Sequence, residues 1–318
     1  MTYNLQPKVF IIVLHWNNIP CLIECLSSLD VASYENYEVV VVNNGSGDLS
    51  GVQERIKGEI RVIQSPSNLG FSRGNNLGIR EALKNKADYV LLLNDDTVVS
   101  LDFLNVLVEA GENNPDVGML GPRIYYFDEP RRIWFAGAQF DPENCMVTTL
   151  GADQLDHGED AKPFESDYLT GCCLLIKRQP IEKIGLFDER FFLYWEDVDL
   201  ALRLTGARLK NLLVPSAQIW HKVSVSAGSQ DSPLRVYHKT RSHLLLAQLH
   251  APHALFPLQQ RFLRDVAWLL FKSSDKRRFL KARAFLSAIK DYYWGRTDTG
   301  PQCIWEDLSR PKRSYGKI

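Results

Sequence analysis

The feature that most constrains the fold is the alternation of short apolar runs with amphipathic segments over residues 1–121. The apolar runs are almost entirely Val, Ile and Leu, which is typical of strands buried on both faces. The segments between them have the periodicity of helices that cover a sheet. We predict strands at Val9–Leu14, Tyr37–Val42, Ile60–Gln64, Tyr89–Leu93 and Val117–Leu120, and helices at Cys21–Leu29, Leu49–Lys57, Gly74–Lys84 and Leu101–Gly111. The first half of the chain therefore predicts an α/β fold on a parallel sheet.

The pattern changes after residue 121. The runs Ile133–Phe140 and Tyr168–Lys177 are rich in aromatic residues and glycine, as in antiparallel strands, which makes the predicted sheet mixed but mainly parallel. We further predict a helix at Glu196–Thr205, strands at Leu209–Val214 and Gln218–Trp220, and helices at Leu234–Leu249, Leu258–Lys272 and Lys276–Trp294. We therefore divide the chain into a sheet domain, residues 1–232 with halves 1–121 and 122–232, and a C-terminal helical segment, residues 233–318.

Composition excludes several classes of protein. With 318 residues, 45% hydrophobic and 24% charged, the chain is neither disordered nor collagen-like. Its six cysteines are too few and too irregularly spaced for a disulfide-rich scaffold, and no Cys-x-x-Cys pair indicates zinc. The longest uncharged stretch, Leu244–Gln260, contains two prolines and two histidines, which argues against a membrane-spanning helix. We therefore expect a cytoplasmic protein.

The charge is distributed unevenly along the chain. Residues 233–318 carry 17 Lys and Arg against 6 Asp and Glu, whereas residues 1–232 carry 20 against 32. A basic, aromatic segment is compatible with contact to an anionic membrane, with helices packed on the sheet domain, or with nucleic-acid binding. No nucleic-acid motif accompanies the charge, so we expect no nucleic-acid partner. We favour a mixture of packing and peripheral contact with the inner face of the cytoplasmic membrane.

Polar residues follow the predicted strands, at the edge where ligands bind in open α/β sheets. Among them, Asp95 and Asp96 come directly after the fourth strand. Adjacent carboxylates repel each other and are typical of a site for a hard divalent cation such as Mg²⁺ or Mn²⁺. The alternative is that they cap the helix that begins near Leu101. Position alone favours metal binding.

Two further loops lie on the same edge. Residues 68–78 have glycines at every fourth position, and their N–H groups and Arg73 are suited to bind phosphate. Close packing of a helix on the sheet explains the glycines equally well. The spacing matches neither a dinucleotide-binding fingerprint nor a Walker A loop, which argues against dehydrogenases and P-loop proteins. In residues 43–48, an asparagine amide is suited to read a nucleobase edge, although such turns are common.

A second acidic group, Glu196, Asp197 and Asp199, opens a predicted helix directly after an aromatic run. Carboxylates at a helix N-terminus complement the helix dipole without any function, and Asp199 is spaced for an ion pair with Arg203. The apolar setting also suits a general base with a raised pKa. The single His221 after Trp220 is more typical of a structural histidine unless a metal site lies nearby.

In this order the motifs resemble those of the family 2 glycosyltransferases, inverting enzymes of GT-A fold, and among them the rhamnosyltransferase-like members. The resemblance runs from Val9 to about His221. It rests on Val-Leu-His-Trp-Asn, Val-Val-Asn-Asn-Gly-Ser-Gly-Asp, Asn-Leu-Gly-Phe-Ser-Arg-Gly-Asn-Asn, Leu-Leu-Asn-Asp-Asp and Trp-Glu-Asp-Val-Asp-Leu-Ala-Leu-Arg. Each motif is a modest signal, but five in the same order are a strong one.

The resemblance implies a role for each matched residue. It implies that Asp197 is the catalytic base, with Glu196 and Asp199 in supporting positions. It also implies that Asp96 and His221 bind a divalent cation, Mn²⁺ or Mg²⁺. It also implies that the nucleotide-diphosphate sugar donor contacts the first strand ends, the glycine loop and the pocket between donor and acceptor. That donor-binding set is His15, Asn17, Asn43, Asn44, Ser46, Asp48, Asn68, Gly70, Phe71, Arg73, Asn75, Asn94, Asp95 and Gly171.

The substrates are less constrained than the site. The resemblance favours L-rhamnose from a thymidine-diphosphate donor, with a glycan or lipid-linked glycan as acceptor. Galactosyl, glucosyl and N-acetylhexosaminyl transfer are alternatives, and so is a non-catalytic module that binds sugar nucleotides or glycans. Asn43 and Asn94 stand where the family often has Asp. A neutral residue at position 94 lowers the charge of the metal site, so we expect weaker or substrate-dependent metal binding.

Overall fold

The computed structural model describes residues 6–45, 47–158, 162–223, 232–302 and 304. Within these ranges the chain forms one large mixed sheet, a small two-stranded sheet and eight α-helices. The strands are β1 (Val9–His15), β2 (Tyr37–Asn43), β3 (Ile60–Gln64), β4 (Tyr89–Asn94), β5 (Thr97–Val99), β6 (Val117–Tyr126), β7 (Ile133–Phe135), β8 (Ala138–Asp141), β9 (Met146–Thr149), β10 (Phe164–Glu165), β11 (Cys173–Lys177) and β12 (Lys210–His221). The helices are α1 (Ile19–Leu29), α2 (Gly70–Lys84), α3 (Phe103–Glu112), α4 (Arg178–Ile184), α5 (Glu196–Gly206), α6 (Pro233–His250), α7 (Leu255–Phe271) and α8 (Arg278–Tyr293).

The large sheet has the strand order β10-β12-β6-β11-β4-β1-β2-β3, with β5 paired to β12 and β7 paired to β6. Strands β1 to β4 run parallel, β11 is antiparallel to both β4 and β6, and β12 is parallel to β6. The predicted mixed, mainly parallel α/β fold is therefore confirmed. In this register His15 lies beside Asn43, and Leu14 lies beside Asn94, so the polar ends of three strands meet at one edge.

Helix α2 packs closely on the centre of the sheet. A Cβ added at Gly74 would lie 2.5 Å from Cδ1 of Leu14, and one added at Gly78 would lie 2.3 Å from Cγ2 of Ile12. These distances leave no room for a larger residue. At these two positions the glycines therefore allow the helix to approach the sheet, which was one of the two interpretations open from the sequence.

Some local expectations were wrong. The predicted helix Leu49–Lys57 is only a short 3₁₀ turn, Gln53–Arg55. Gly51 interrupts this segment and Gly58 follows it directly, and only Leu49 and Val52 bury their side chains, which is too little apolar surface to stabilise a helix. Strand β3 lies at the edge of the sheet and is largely exposed instead of buried on both faces.

The two strands predicted at Leu209–Val214 and Gln218–Trp220 form a single strand, β12. Its register with β6 shifts between Val214 and Gln218, where Pro215 interrupts the hydrogen bonds. A proline in a strand is tolerated at such a bulge because no ladder hydrogen bond is needed there. The bulge lets one strand pair with β6 along its whole length and carry His221 to the site edge.

The helices α6 to α8 pack against the sheet domain and one another. Leu244 and Ala247 of α6 are buried in a cluster with Phe191 and Val198, and Phe262 of α7 joins this cluster. This burial fixes α6 against the segment that leads into α5. In the part of the chain that the structure describes, no helix is long and apolar enough to span a membrane.

Candidate active site

A cavity of about 530 Å³ opens at the carboxyl ends of β1 and β4. One wall carries Asp95, Asp96 and His221, and another carries Glu196 and Asp197 from the start of α5. The volume and the mixture of aromatic walls with a few polar groups are typical of a small-molecule site. The structure thus brings together the two acidic motifs that are about 100 residues apart in sequence.

Asp95 is held by the end of β1. Its Oδ2 lies 2.7 Å from Nδ1 of His15, and the backbone N–H of Trp16 points at the same oxygen from 3.4 Å. The ring of His15 is fully buried, and its Nε2 has no hydrogen-bond partner in the described part of the chain. Burial raises the pKa of Asp95, and the contact with His15 opposes that rise. The pair fixes the Asp95 carboxylate at the floor of the cavity.

Asp96 and His221 form the second pair of this wall. Nε2 of His221 lies 3.1 Å from Oδ1 of Asp96, and both residues are buried. The edge of Trp134 packs against the His221 ring, with the ring centroids 4.4 Å apart, which fixes the ring plane. The pairing of β12 with β5 at His221 and Thr97 holds the two residues side by side. Among the described residues no three His, Cys, Asp or Glu side chains converge as a metal-binding group. Asp96 and His221 therefore form a group of two side chains that could bind a metal ion.

Asparagines hold the loop before α2 in place. The amide of Asn44 donates to Asn68 and to the carbonyl of Gly70, and its oxygen accepts the N–H of Leu69. Gly70 has a φ of 76°, and a Cβ there would lie 2.3 Å from the carbonyl oxygen of Phe192. This position therefore requires glycine. The loop thereby contacts the segment that precedes the α5 carboxylates.

Asp197 lies where the two halves of the site meet. Its Oδ2 accepts the N–H of Gly171 at 3.0 Å, and its Oδ1 accepts the N–H of Val198 at 2.9 Å. Burial raises the pKa of Asp197 to about 6, although these two bonds oppose the rise. A Cβ on Gly171 would lie 2.8 Å from the ring of Phe71, so glycine allows this ring to pack closely beside Asp197. A carboxylate with this pKa is a stronger base than an exposed one and is still ionised at neutral pH.

The neighbours of Asp197 differ in their partners. Burial also raises the pKa of Glu196, with the charge of Asp197 as a second cause, and Oε2 of Glu196 has no hydrogen-bond partner among the residues that the structure describes. Asp199, by contrast, binds Nε of Arg203 at 2.9 Å and Nε2 of His250 at 2.8 Å. Asp199 therefore anchors α5 to α6, and the carboxylates of Glu196 and Asp197 line the cavity.

The backbone before α5 is strained. Tyr194 and Trp195 have φ values of 69° and 71°, a conformation that aromatic residues rarely adopt. Helix α6 supports this segment: the ring of His243 stacks on Trp195 with centroids 4.0 Å apart, and that of His238 stacks on Phe192 at 4.8 Å. Strain of this kind persists where the surroundings impose it and is frequent at functional sites.

Comparison with known proteins agrees with this geometry. The model of the family described as glycosyl transferase family 2 matches residues 10–185, more than half of the chain. The chain belongs to glycosyl transferase family 2. The matched region contains both Asp95 and Asp96 and ends before α5.

Relatives and solved structures support the family assignment and the GT-A fold. An N-acetylglucosaminyl-diphospho-decaprenol L-rhamnosyltransferase of Mycobacterium tuberculosis is 28% identical over 293 residues, which cover 84% of this chain and 90% of that protein. The dTDP-rhamnosyl transferase RfbF of Shigella flexneri is 22% identical and covers 83% of this chain and 88% of its own. The crystal structure of GalNAc-T7 with UDP, GalNAc and Mn²⁺ has a TM-score of 0.62 at 14% identity, over 96% of this chain and 57% of that chain. The chain is thus a family 2 glycosyltransferase.

In this glycosyltransferase, most of the site residues predicted from the sequence line the cavity, and the others that the structure describes lie outside it. Those that line the cavity are Asn44, Asn68, Gly70, Phe71, Asn94, Asp95, Asp96, Gly171, Glu196, Asp197 and His221. His15 lies directly beneath, behind Asp95. Asn17 is exposed after β1 with a φ of 61°, and Ser46 lies outside the described residues.

Four side chains that the sequence predicted to bind the donor do not line the cavity and instead contact other parts of the protein. Asn43 donates to the carbonyl of Gly47 and to the side chain of Gln64, and exposed Asp48 accepts from Ser50. Asn75 is buried and donates back to the carbonyl of Phe71. Arg73 donates to Thr297 and lies 3.8 Å from Glu189. These contacts fix loops and helices around the cavity.

Some cavity residues were missed by the sequence analysis. Trp134 and Tyr168 line the wall beside His221 and Asp197, and Arg235 and Lys239 of α6 line the opening. Nζ of Lys239 lies 5.3 Å from the centre of the Tyr194 ring. The i,i+4 spacing of the two cations in a predicted helix was the only available signal, and it does not tell which way the helix faces.

Proposed function

We propose that this family 2 glycosyltransferase transfers a sugar, L-rhamnose from dTDP-rhamnose, to a hydroxyl of a cell-surface glycan or lipid-linked glycan, with inversion at the anomeric carbon. The observation that carries the mechanism is the cavity that brings Asp95, Asp96 and His221 together with Asp197, a buried carboxylate whose pKa is raised to about 6 and whose two oxygens accept backbone N–H groups. One wall suits a diphosphate leaving group, and the other suits the deprotonation of an acceptor. A sugar between them can be displaced directly.

Asp197 acts as the general base. Both of its oxygens are oriented by N–H donors, which leaves a remaining lone pair on each for the acceptor hydroxyl. As the hydroxyl oxygen bonds to the anomeric carbon, its proton passes to Asp197 and the bond to the diphosphate breaks. The aromatic walls and the buried setting keep water from competing with the acceptor. No covalent bond to the enzyme forms in this path, so the product is inverted.

The residues present fit a divalent cation. A carboxylate and an imidazole, Asp96 and His221, lie side by side on the donor wall, and Mg²⁺ or Mn²⁺ is commonly bound by one or two protein groups together with substrate phosphates. When bound there, the cation would neutralise charge on the diphosphate leaving group. With only two such protein groups, we expect the cation and the donor to bind cooperatively.

The choice of sugar rests on the relatives. Two of them, from Mycobacterium tuberculosis and Shigella flexneri, are named as rhamnosyltransferases and align along more than four fifths of this chain. Alignments over 84% and 83% of the chain extend beyond the match of the family model, which ends at residue 185. Their agreement on the sugar supports dTDP-rhamnose as the first donor to test.

The test is a panel of sugar nucleotides, dTDP-rhamnose, UDP-galactose, UDP-glucose and UDP-N-acetylhexosamines, each with Mn²⁺, Mg²⁺ or EDTA. Thermal shifts measure donor binding, and release of the nucleoside diphosphate in the presence of a glycan acceptor measures transfer. We expect dTDP-rhamnose and the metal together to raise the melting temperature more than the sum of their separate effects. His221→Gln is expected to lose this joint effect but not the fold.

Each other outcome would change a specific part of the proposal. If only a UDP-sugar stabilised the protein, that sugar nucleotide would replace dTDP-rhamnose as the proposed donor. Full turnover in EDTA would show that transfer does not need a divalent cation. Donor binding without transfer to any acceptor offered would favour a non-catalytic binding module. No response to any donor would refute the assignment of the cavity.

A further inference from the structure

Helix α7 has two apolar faces, of which the described residues cover only one. Leu258, Phe262, Val266 and Leu269 are buried against the protein. On the opposite side, Phe256, Leu263, Trp268 and Phe271 are 66%, 52%, 55% and 84% exposed. A surface helix normally has a polar outer face. A row of large apolar side chains in water costs free energy and marks an interaction surface.

Helix α8 continues this apolar surface with a regular pattern. Phe279, Leu286 and Tyr293 are 63%, 48% and 63% exposed and lie seven residues apart, so they share one side of the helix. Arg283 and Lys290, four residues after the first two, are exposed on the same side. A groove of about 310 Å³ between Leu270 of α7 and this side of α8 joins the two helices. We call the exposed apolar and basic residues of α7 and α8 the hairpin surface.

Positive charge surrounds these apolar residues. Residues 255–296 contain ten Lys and Arg but only three Asp and no Glu. Two of the three aspartates are already paired, Asp275 with Lys281 and Asp291 with Arg296. Lys290 and Arg296 lie 4.1 and 5.1 Å from the ring centre of Trp294, so cations and aromatic rings are interleaved.

We propose that the hairpin surface docks on an anionic phospholipid bilayer, with the aromatic and aliphatic side chains in the headgroup layer and the Arg and Lys side chains on lipid phosphates. Tryptophan, phenylalanine and leucine on one side of a helix, with basic residues beside them, are the composition of interfacial helices. Each basic residue near an anionic surface strengthens binding, and the effect falls with salt. This inference goes beyond the sugar transfer and does not depend on the identity of donor or acceptor.

Charge argues against a second copy of the chain as the occupant. In a symmetric dimer through the hairpin surface, the same patch is present on both sides, so the basic residues of the two copies would face one another. Like charges across an interface are unfavourable. An anionic bilayer instead complements both the apolar and the basic part of the surface.

The test is co-sedimentation of the full chain with vesicles of phosphatidylcholine alone and of phosphatidylcholine mixed with phosphatidylglycerol. We expect binding to the mixed vesicles only, reversed by added salt. The charge variant Arg264→Gln with Arg283→Gln is expected to bind about thirtyfold more weakly, from about a fivefold loss for each removed charge. The apolar variant Phe271→Ser with Phe279→Ser is expected to lose at least as much.

Matched controls use exposed residues outside the hairpin surface. Val31→Ser with Leu101→Ser removes two exposed apolar side chains, and Lys57→Gln with Lys84→Gln removes two exposed charges. Both controls are expected to bind mixed vesicles like the unmodified protein. Far-UV circular dichroism and melting temperature confirm that each variant is folded. Donor thermal shifts, unchanged in all four variants, keep this test separate from that of sugar transfer.

Three results would overturn the proposal. One is equal binding to both kinds of vesicle, and another is equal loss in the control variants. The third is a dimer, detected by analytical ultracentrifugation, that the apolar variant abolishes while no vesicle binding is seen. That last result would assign the hairpin surface to a second copy of the chain.

Discussion

The buried carboxylate of Asp197 should be required for catalysis and should at the same time destabilise the folded protein. Its pKa is raised from the ordinary value of 3.8 to about 6 by burial, so the folded protein binds this proton more tightly than the unfolded chain does. The free energy of unfolding must therefore fall as the pH rises through the interval between these two values. Two pKa units correspond to about 3 kcal/mol, which is the full cost of the buried charge at about pH 8. At about pH 5 roughly half of that cost is present.

Asp197→Asn removes this charge while keeping the side-chain size. The amide oxygen can accept only one of the N–H groups of Gly171 and Val198, which costs about 1–2 kcal/mol at every pH. We therefore expect the variant to be about 1–2 kcal/mol more stable than the unmodified protein near pH 8, with little difference near pH 5. Urea denaturation at both pH values measures this gap directly.

The same substitution should nearly abolish transfer. Loss of a general base costs about a hundred- to ten-thousandfold in turnover, while donor thermal shifts stay unchanged. In the unmodified protein kcat/KM should fall tenfold per pH unit below about pH 6, as Asp197 becomes protonated. A variant with near-normal turnover would refute the role of the base.

A matched control lies two residues further along α5. Asp199→Asn is the same chemical change, but Arg203 and His250 lose a charged partner, so it should destabilise the protein by about 2 kcal/mol. If instead the stability gap of Asp197→Asn were the same at both pH values, the carboxylate would not carry a raised pKa. The reasoning about the base would then be wrong.

Two further predictions concern packing. Gly78→Ala should lower the free energy of unfolding by about 1–3 kcal/mol in urea titrations, because the added Cβ would meet Ile12. Gly206→Ala is the control: its Cβ would lie in open space, so the substitution should be neutral or stabilising. Equal effects of the two substitutions would contradict the packing argument. His243→Ala should lower turnover at least tenfold without changing donor thermal shifts, because it removes the ring stacked on Trp195; His243→Phe should restore much of it, and a failure of that rescue would contradict a positioning role.

Strong local signals made much of the fold predictable. The strands β1, β2 and β4 each contain a run of mostly buried Val, Ile and Leu, and such runs identify parallel strands without tertiary information. Segments of weaker pattern failed. The short 3₁₀ turn Gln53–Arg55 replaced a predicted helix because only tertiary burial would have stabilised one, and this segment buries little.

The site divides in the same way. That Asp95 and Asp96 lie at the end of a buried strand follows from the sequence, since a strand pattern fixes where the chain leaves the sheet. That Asp96 faces His221, and that Asp197 accepts from Gly171, depends on the pairing of β12 with β5 and on the approach of α5 to the loop before β11. Such pairings join residues 26 to 125 positions apart, and no local pattern encodes their distance.

The sequence by itself determined which side chains were available for chemistry: two carboxylates after β4, three more at the start of α5, and a basic, aromatic C-terminal segment. Only the tertiary structure decided what each does. Arg73 donates a hydrogen bond to Thr297 and lies near Glu189, whereas Lys239 lines the cavity beside Tyr194. The physical reason is that residue type fixes a side chain's charge and hydrogen-bonding groups, whereas its partners and its burial, and hence its pKa, are set by the elements packed around it.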